Sequence, residues 1–124
     1  MRRILLLFTA FLVAASAAVL PARAVDAPFE PSLMRLSEVL GSLHFLRNLC
    51  GEKSSQWRDE MEKMLDAEKP DAARRARLIA SFNRGYRSFE GTYTKCTASA
   101  TEAIERYMKE GETLTREVTD RYGN

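Results

Sequence analysis

The spacing of apolar residues predicts helices along most of the chain after residue 30. Between Pro31 and Gly51, most large apolar side chains fall on one helical face, at steps of three and four residues. Met34, Phe45 and Leu49 fall on the opposite side. This segment therefore predicts a first helix that is either buried all round or carries an exposed apolar patch.

A second predicted helix carries a much narrower apolar stripe. Trp57, Met61 and Leu65 recur at helical spacing in a charged segment that stops before Pro70. Because the residue before a proline avoids the helical conformation, we expect the helix to end there. Gly51 is expected to terminate the first helix.

The chain from about residue 72 to 121 keeps its apolar positions in one phase. One helix of that length would extend about 75 Å, which is too long for a small domain. We therefore favour two helices, about 72–91 and 95–121, over a single kinked helix. The apolar stripe of the first of these runs through Ile79, Phe82, Tyr86 and Phe89. No strand pattern is present, so the predicted fold is an all-α bundle of three to four helices.

Helix caps are predicted from local side-chain chemistry. Ser32, Ser55 and Asp71 each stand where a helix is expected to begin, and all three residue types cap helices well. Ser99 with Glu102 fits a capping box at the start of the last helix. Gly85 lies in the middle of a predicted helix, where glycine costs about 1 kcal/mol, which indicates close approach of another helix or a ligand.

The first 24 residues have the layout of a cleavable signal peptide. Arg2 and Arg3 precede an apolar run, and the segment Ala22 to Ala24 offers small residues for cleavage. The alternatives are an uncleaved anchor or a cut near Ala18, but the apolar run is short for a membrane span. We therefore expect a signal peptide at 1–24, a single helical domain at 25–124, a periplasmic location and no transmembrane span after cleavage.

Cleavage also changes the charge of the protein. It removes three of the 19 basic residues and none of the 17 acidic ones, which leaves 16 against 17. A nucleic-acid-binding surface requires a clear basic excess. We therefore expect no nucleic acid partner.

The two cysteines, Cys50 and Cys96, are predicted to form an intramolecular disulfide. An exported protein meets an oxidising compartment, where such a bond forms and persists. Free thiols or an intermolecular bridge are the alternatives.

The residues that could carry catalysis or bind a cofactor form no recognisable set. His44 is the single histidine and borders the apolar face of the first helix. A haem held by His44 and Met61, Met64 or Met108, or copper(I) on Met61 and Met64, is conceivable, but methionines at this spacing usually fill a core. We expect no cofactor, no metal and no enzymatic activity.

Four arginines, Arg74, Arg77, Arg84 and Arg87, form the most polarised charged face of the chain. Such a face can dock phosphate or carboxylate groups of an anionic envelope component. The alternative is a solvated face that pairs with acidic residues of the second helix. The apolar set Met34, Phe45 and Leu49 is the second candidate surface for a partner.

Several short motifs together resemble a family of small exported proteins from alphaproteobacteria, of rhizobial type, whose function is unknown. They are LRNLCG, W-R-x-x-M, FNRGYRSFEGTYTKCT, ERYMKEG and RYGN. The resemblance implies export and two family cysteines at 50 and 96, and it implies no activity.

We therefore expect a non-catalytic interaction or accessory module of the cell envelope with an unknown envelope protein as partner. A ligand-, haem- or metal-binding bundle is the alternative, followed by a cell-wall hydrolase.

Overall fold

The computed structural model describes residues 29–122, which form four α-helices connected by short turns. They are α1 (Glu30–Leu49), α2 (Gln56–Glu68), α3 (Ala72–Glu90) and α4 (Ala98–Tyr122). The described residues contain no β-strand, so the predicted all-α bundle is confirmed. The predicted division of residues 72–121 into two helices is also confirmed. The predicted signal peptide lies outside the described residues.

The first helix is the centre of the bundle, and each of the other three helices packs against it. Buried residues occur all round α1: Leu33, Val39 and Leu46 on the predicted apolar face, and Ser37 and Ser42 outside it, are each at most 1% exposed. Of the two predicted alternatives, a first helix buried all round and one with an exposed apolar patch, the structure therefore favours the first. The direction of the chain alternates from helix to helix, so α1 and α3 run one way and α2 and α4 the other.

Two glycines allow α1 and α3 to cross in backbone contact. A Cβ at Gly41 would lie 1.9 Å from the carbonyl oxygen of Phe82, and one at Gly85 would lie 2.0 Å from that of Glu38. Neither position has room for any side chain. Gly85 therefore marks the close approach of another helix, as its position in the sequence predicted.

The close crossing changes which face of α3 is deepest. Its buried residues are Leu78, Ser81 and Gly85, whereas the predicted stripe through Ile79, Phe82, Tyr86 and Phe89 is only half-buried. Ile79, Phe82 and Phe89 of the predicted stripe do pack against the core, but the most deeply buried line of α3 lies beside them, by part of a helical turn. Small residues occupy the contact line because only they allow the two backbones to meet, and the larger side chains flank it.

Helix ends follow the predictions only in part. Asp71 caps α3, since its carboxylate accepts a hydrogen bond of 2.8 Å from the backbone N–H of Arg74. Gly51 follows α1 with φ of 105°. Ser32 is no cap, because α1 begins two residues earlier and its hydroxyl donates to Glu117 instead. Ser55 occupies the N-cap position of α2 without a capping hydrogen bond.

The start of α4 also differs from the predicted capping box. The hydroxyl of Thr97 accepts a hydrogen bond of 3.1 Å from the backbone N–H of Ala100, so Thr97 is the capping residue. Ser99 and Glu102 are exposed residues within the helix. The first turn of α4 thus begins before the predicted box, because a threonine hydroxyl can cap without a glutamate partner.

A disulfide joins the end of α1 to the start of α4. Cys50 and Cys96 have Cα atoms 4.9 Å apart and are separated by 46 positions in the chain. The predicted intramolecular pairing is confirmed.

Candidate functional site

A large apolar groove lies between α2 and α4, and we call it the α2–α4 groove. Its floor consists of α1 residues from Leu33 to Leu43, and its cavity volume is about 890 Å³. Trp57 and Met64 line the α2 wall, and Met108 and Val118 line the α4 wall. The groove exists because α2 and α4 both pack on α1 but leave a gap between each other.

Charged residues of both signs border this groove. The α2 side has Glu60 and Lys63, whose side chains pair at 3.0 Å, and the α4 side has Lys109 and Glu112. Met108 lies among them and is 40% exposed, as a large hydrophobic side chain at the mouth of the groove. An apolar floor with a mixed-charge border suits an amphipathic occupant.

Trp57 contributes an unsatisfied hydrogen-bond donor beside the groove. Its indole N–H is buried and has no acceptor among the residues that the structure describes. A buried donor of this kind is rare in folded proteins and is costly. Trp57 is also the single tryptophan of the chain, so the tryptophan fluorescence comes from one residue that lines this groove.

A second, smaller pocket lies between α2 and α3, and we call it the α2–α3 pocket. It has a volume of about 470 Å³ and combines apolar and polar side chains. Its lining residues come from three helices: His44, Arg58, Met61, Glu62, Leu65, Arg75, Ile79, Phe82, Asn83 and Tyr86.

His44 is half-buried at this pocket between two aromatic rings. The centroid of its ring lies 5.9 Å from that of Phe82 and 5.7 Å from that of Tyr86. Burial lowers the pKa of His44, the positive charge of Arg58 lowers it further, and the carboxylate of Asp59 acts in the opposite direction. The imidazole is therefore neutral near pH 7.

The structure places Met34, Phe45 and Leu49 in partly buried positions. Met34 packs against the core beside Ser81, and Phe45 meets the ring of Tyr86 edge to face, with centroids 5.4 Å apart. None of the three is an exposed side chain. Their role as a partner surface stays a prediction, but Met34 and Phe45 already contact side chains of α3.

Arg74 has a structural environment that the sequence did not indicate. Its guanidinium donates to the carboxylates of Glu30 and Glu68, with nitrogen–oxygen distances of 2.6 Å and 2.9 Å. These contacts raise the pKa of Arg74 and join α1, α2 and α3 at one end of the bundle. Arg74 therefore pairs with an acid of the second helix, Glu68, and also with Glu30 of the first, and it is partly buried rather than solvated.

The other three arginines of that face lie at the surface of α3. Arg84 is 60% exposed and lies 3.5 Å from the carboxylate of Glu38, an acid of α1 rather than of α2. Arg77 and Arg87 are exposed. Binding of an anionic envelope component by Arg77, Arg84 and Arg87 stays a prediction.

The candidate metal and haem ligands are divided between the two cavities. His44 and Met61 line the α2–α3 pocket, whereas Met64 and Met108 line the α2–α4 groove. The described residues contain no group of three or more His, Cys, Asp or Glu side chains arranged to hold a metal ion.

Within residues 29–122, no helix is both long and apolar enough to cross a membrane.

Sequence reasoning missed both cavities, although it identified some of their residues as core. Trp57 and Phe82 belong to predicted apolar stripes, and nothing local shows that a cavity lies beside either of them. Arg58 and Arg75 received no role because each is one charge among many on a charged helix. One feature of the sequence could have indicated the groove. Apolar residues occur all round α1, and the narrow apolar stripe of α2 is too small to cover its share of that surface.

Comparison with known proteins identifies a family without adding an activity. No curated protein matches the chain, and no solved structure does. Residues 28–122 match the family model described as "Protein of unknown function (DUF2385)", which spans all four helices and both cysteines, and the chain therefore belongs to that family.

Proposed function

We propose that this protein is a non-catalytic accessory module of the periplasm that binds an amphipathic helix of a partner protein in the α2–α4 groove. The observation that carries the proposal is the groove itself, with its floor of α1 leucines and its exposed Met108. Methionines at the mouth of a groove adapt their shape to an incoming apolar surface.

The dimensions of the groove favour a helix as the occupant. Its floor runs from Leu33 to Leu43, which corresponds to about 15 Å along α1, or three helical turns. An amphipathic helix presents anchors at positions i, i+3 or i+4, and i+7 over that length. Such a helix would fill the gap between α2 and α4 and complete the layer of helices around α1.

The border charges favour a peptide over a lipid head group. Glu60 and Lys63 on α2, and Lys109 and Glu112 on α4, present both signs on both sides. The polar face of a helix can carry complementary charges of both signs. An anionic head group would be attracted by the lysines and repelled by the glutamates, so the charges give it little net gain.

The periplasmic location is supported by two independent features. The first 24 residues have the composition of a cleavable export signal. The Cys50–Cys96 disulfide is the kind of bond that persists in an oxidising compartment.

Site-specific photocrosslinking in native cells tests this proposal. A photoreactive residue at Met108, at the mouth of the groove, is expected to capture one protein through an amphipathic helical segment, as mass spectrometry of the adduct will show. The same residue at Arg77, on the arginine face of α3, is expected to capture nothing specific. Capture of a lipid at Met108, or of a protein at Arg77 alone, would overturn the proposal.

A synthetic peptide of the captured segment then tests the groove directly. Binding is expected to shift the fluorescence emission of Trp57, since this residue lines the groove. Met108→Asp is expected to weaken binding at least tenfold, because it places a charge at the apolar mouth. Thr113→Asp, an exposed position on another face of α4, is the matched control and should leave the affinity unchanged.

A further inference from the structure

The α2–α3 pocket has a chemistry that the proposed helix-binding groove does not use. Its apolar floor is formed by Met61, Leu65, Ile79 and Phe82. Its polar side chains include two guanidinium groups and one carboxylate, from Arg58, Arg75 and Glu62. A cavity of this size with a few convergent polar groups is the usual form of a small-molecule site.

The charged groups of this pocket form no ion pair within the described residues, as is also true of Arg77, Arg87 and Arg106, which lie outside the pocket. Arg35, Arg47, Arg74, Arg84 and Arg116 each form an ion pair with a carboxylate. Among the described residues, Arg58, Arg75 and Glu62 form none, although Arg58 and Glu62 are one helical turn apart on α2 and both line the pocket. Two positive charges and one negative charge therefore remain available to a ligand.

His44 and Asn83 add hydrogen-bonding capacity without adding charge. The Nδ1 atom of His44 lies 3.4 Å from the amide nitrogen of Asn48, so the neutral ring carries its proton on Nε2 when this amide donates. The amide of Asn83 lines the same pocket from α3. The pocket thus offers uncharged partners to a ligand besides its three unpaired charges.

We propose that the α2–α3 pocket binds a small zwitterion with an apolar body, such as an apolar amino acid or the end of a short peptide. The carboxylate of the ligand pairs with Arg58 and Arg75, its ammonium group pairs with Glu62, and its side chain lies on the floor around Phe82. A plain anion would face the unpaired carboxylate of Glu62, and a plain cation would face two guanidinium groups.

His44 gives a direct reading of binding at this pocket. It is the single histidine of the chain, so the C2–H proton of its imidazole has one NMR signal of its own. Three probes with the same ring separate the charge classes: L-phenylalanine, 3-phenylpropionate and phenethylamine. L-phenylalanine is expected to shift the His44 signal saturably and to bind more tightly than the other two.

Substitutions on α3 supply the matched pair of variants. Arg75→Ala is expected to weaken L-phenylalanine binding roughly tenfold or more, because it removes a charge-assisted hydrogen bond. Arg77→Ala changes an arginine that is equally exposed but lies outside the pocket, and should leave the affinity unchanged. Both side chains are exposed, so both variants are expected to fold, as circular dichroism will show.

Three results would overturn this inference. They are the absence of a saturable shift with any probe at about 10 mM, binding of 3-phenylpropionate as tight as that of L-phenylalanine, and equal losses of affinity in the two arginine variants.

The outcome is independent of the proposed helix-binding function, since Trp57 lines the groove and is not among the residues of this pocket. A ligand here should shift the His44 signal without shifting the emission of Trp57.

Discussion

Gly85 determines how closely α1 and α3 can approach each other. Added at this position, a Cβ would lie 2.0 Å from the backbone oxygen of Glu38 and 2.8 Å from the hydroxyl of Ser42. A backbone oxygen cannot move aside as the end of a flexible side chain can. Any larger residue must therefore separate the two helices.

Gly85→Ala is expected to lower the free energy of unfolding by about 3 kcal/mol, because overpacking exceeds the gain in helix propensity. Gly91→Ala is the matched control, since a Cβ there meets only the carbonyl oxygen of Arg87, at 3.5 Å. It should change stability by less than about 1 kcal/mol. Urea unfolding measures both values. Equal effects in the two variants would show that the close crossing does not matter.

The lowered pKa of His44 predicts how the stability of the fold depends on pH. Its lowered pKa means that the unfolded chain takes up a proton more readily than the folded one just below the ordinary value of 6.5. The contribution of His44 to stability is therefore fully present above pH 6.5. It decreases as the pH falls toward the lower pKa of the folded state.

Arg58→Gln is expected to raise the pKa of His44, because it removes a nearby positive charge. Asp59→Asn is the matched control with the opposite sign, since it removes the carboxylate that raises this pKa. NMR titration of the His44 C2–H signal measures both shifts. A pKa in Arg58→Gln at or below the wild-type value would contradict this account of the pocket.

Single residues also show what local sequence can reveal. Asp71 and Gly51 were predicted correctly because their roles depend on neighbouring backbone groups only. The pairing of Arg74 with Glu30 was missed, because the two residues are 44 positions apart and only the assembled bundle brings them together.

At the scale of the helices, the ion pairs of Arg74 fasten one end of the bundle. The side chains of Glu30 and Glu68 are only 7% and 8% exposed, so both carboxylates are largely withdrawn from water. Both accept hydrogen bonds from the guanidinium of Arg74 between them. Removing one member of such a buried ion-pair set destabilises the fold strongly, because it leaves a buried charge unpaired. Replacing the whole set with apolar side chains of similar size costs much less.

Arg74→Met is expected to lower the free energy of unfolding by about 3 kcal/mol, since it leaves the buried carboxylate of Glu30 without its cation. Arg77→Met is the control, because it changes an exposed arginine on the same helix. Adding Glu30→Gln to Arg74→Met should recover part of the loss, which chemical denaturation will measure. Additive losses would mean that the two residues do not interact.

The helices themselves were largely predictable, and their contacts were not. The predicted ranges 72–91 and 95–121 differ from α3 and α4 by at most three residues at each end, and the start of α3 coincides with its prediction. Periodicity determines where a helix is apolar, but it does not show which neighbour covers each part of that surface. The most deeply buried line of α3 was not predicted for this reason, since a contact line of glycine and serine leaves no mark in hydrophobicity.

At the scale of the whole molecule, the disulfide joins the two sequence segments that flank α2 and α3. Cys96 is exposed and Cys50 is half-buried, so the bond contributes mainly through its effect on the unfolded chain. In the chain-entropy model, a loop of this length contributes about 4 kcal/mol.

The double variant Cys50→Ser/Cys96→Ser is expected to lose about 4 kcal/mol in the free energy of unfolding. Wild-type protein in reductant should lose a similar amount, which separates the loss of the bond from the loss of sulfur packing. Urea unfolding with and without reductant provides the comparison. An unchanged midpoint in the double variant would contradict the proposed role of the bond.

The whole-molecule features that bear on function were the least predictable. The α2–α4 groove depends on how three helices share the circumference of α1, and this arrangement is a result of packing rather than of any one segment. The cysteine pairing was predictable because two cysteines allow only one intramolecular bond.

The Cys50–Cys96 bond also closes residues 50–96 into a covalent ring that contains α2 and α3. A protease that cuts once at an exposed turn of this ring, for example at Lys53, opens the ring but releases no fragment. The nicked protein keeps its full mass on a non-reducing gel and separates into two pieces only after reduction. A single cut in this segment therefore detaches no helix of the bundle as long as the disulfide is intact.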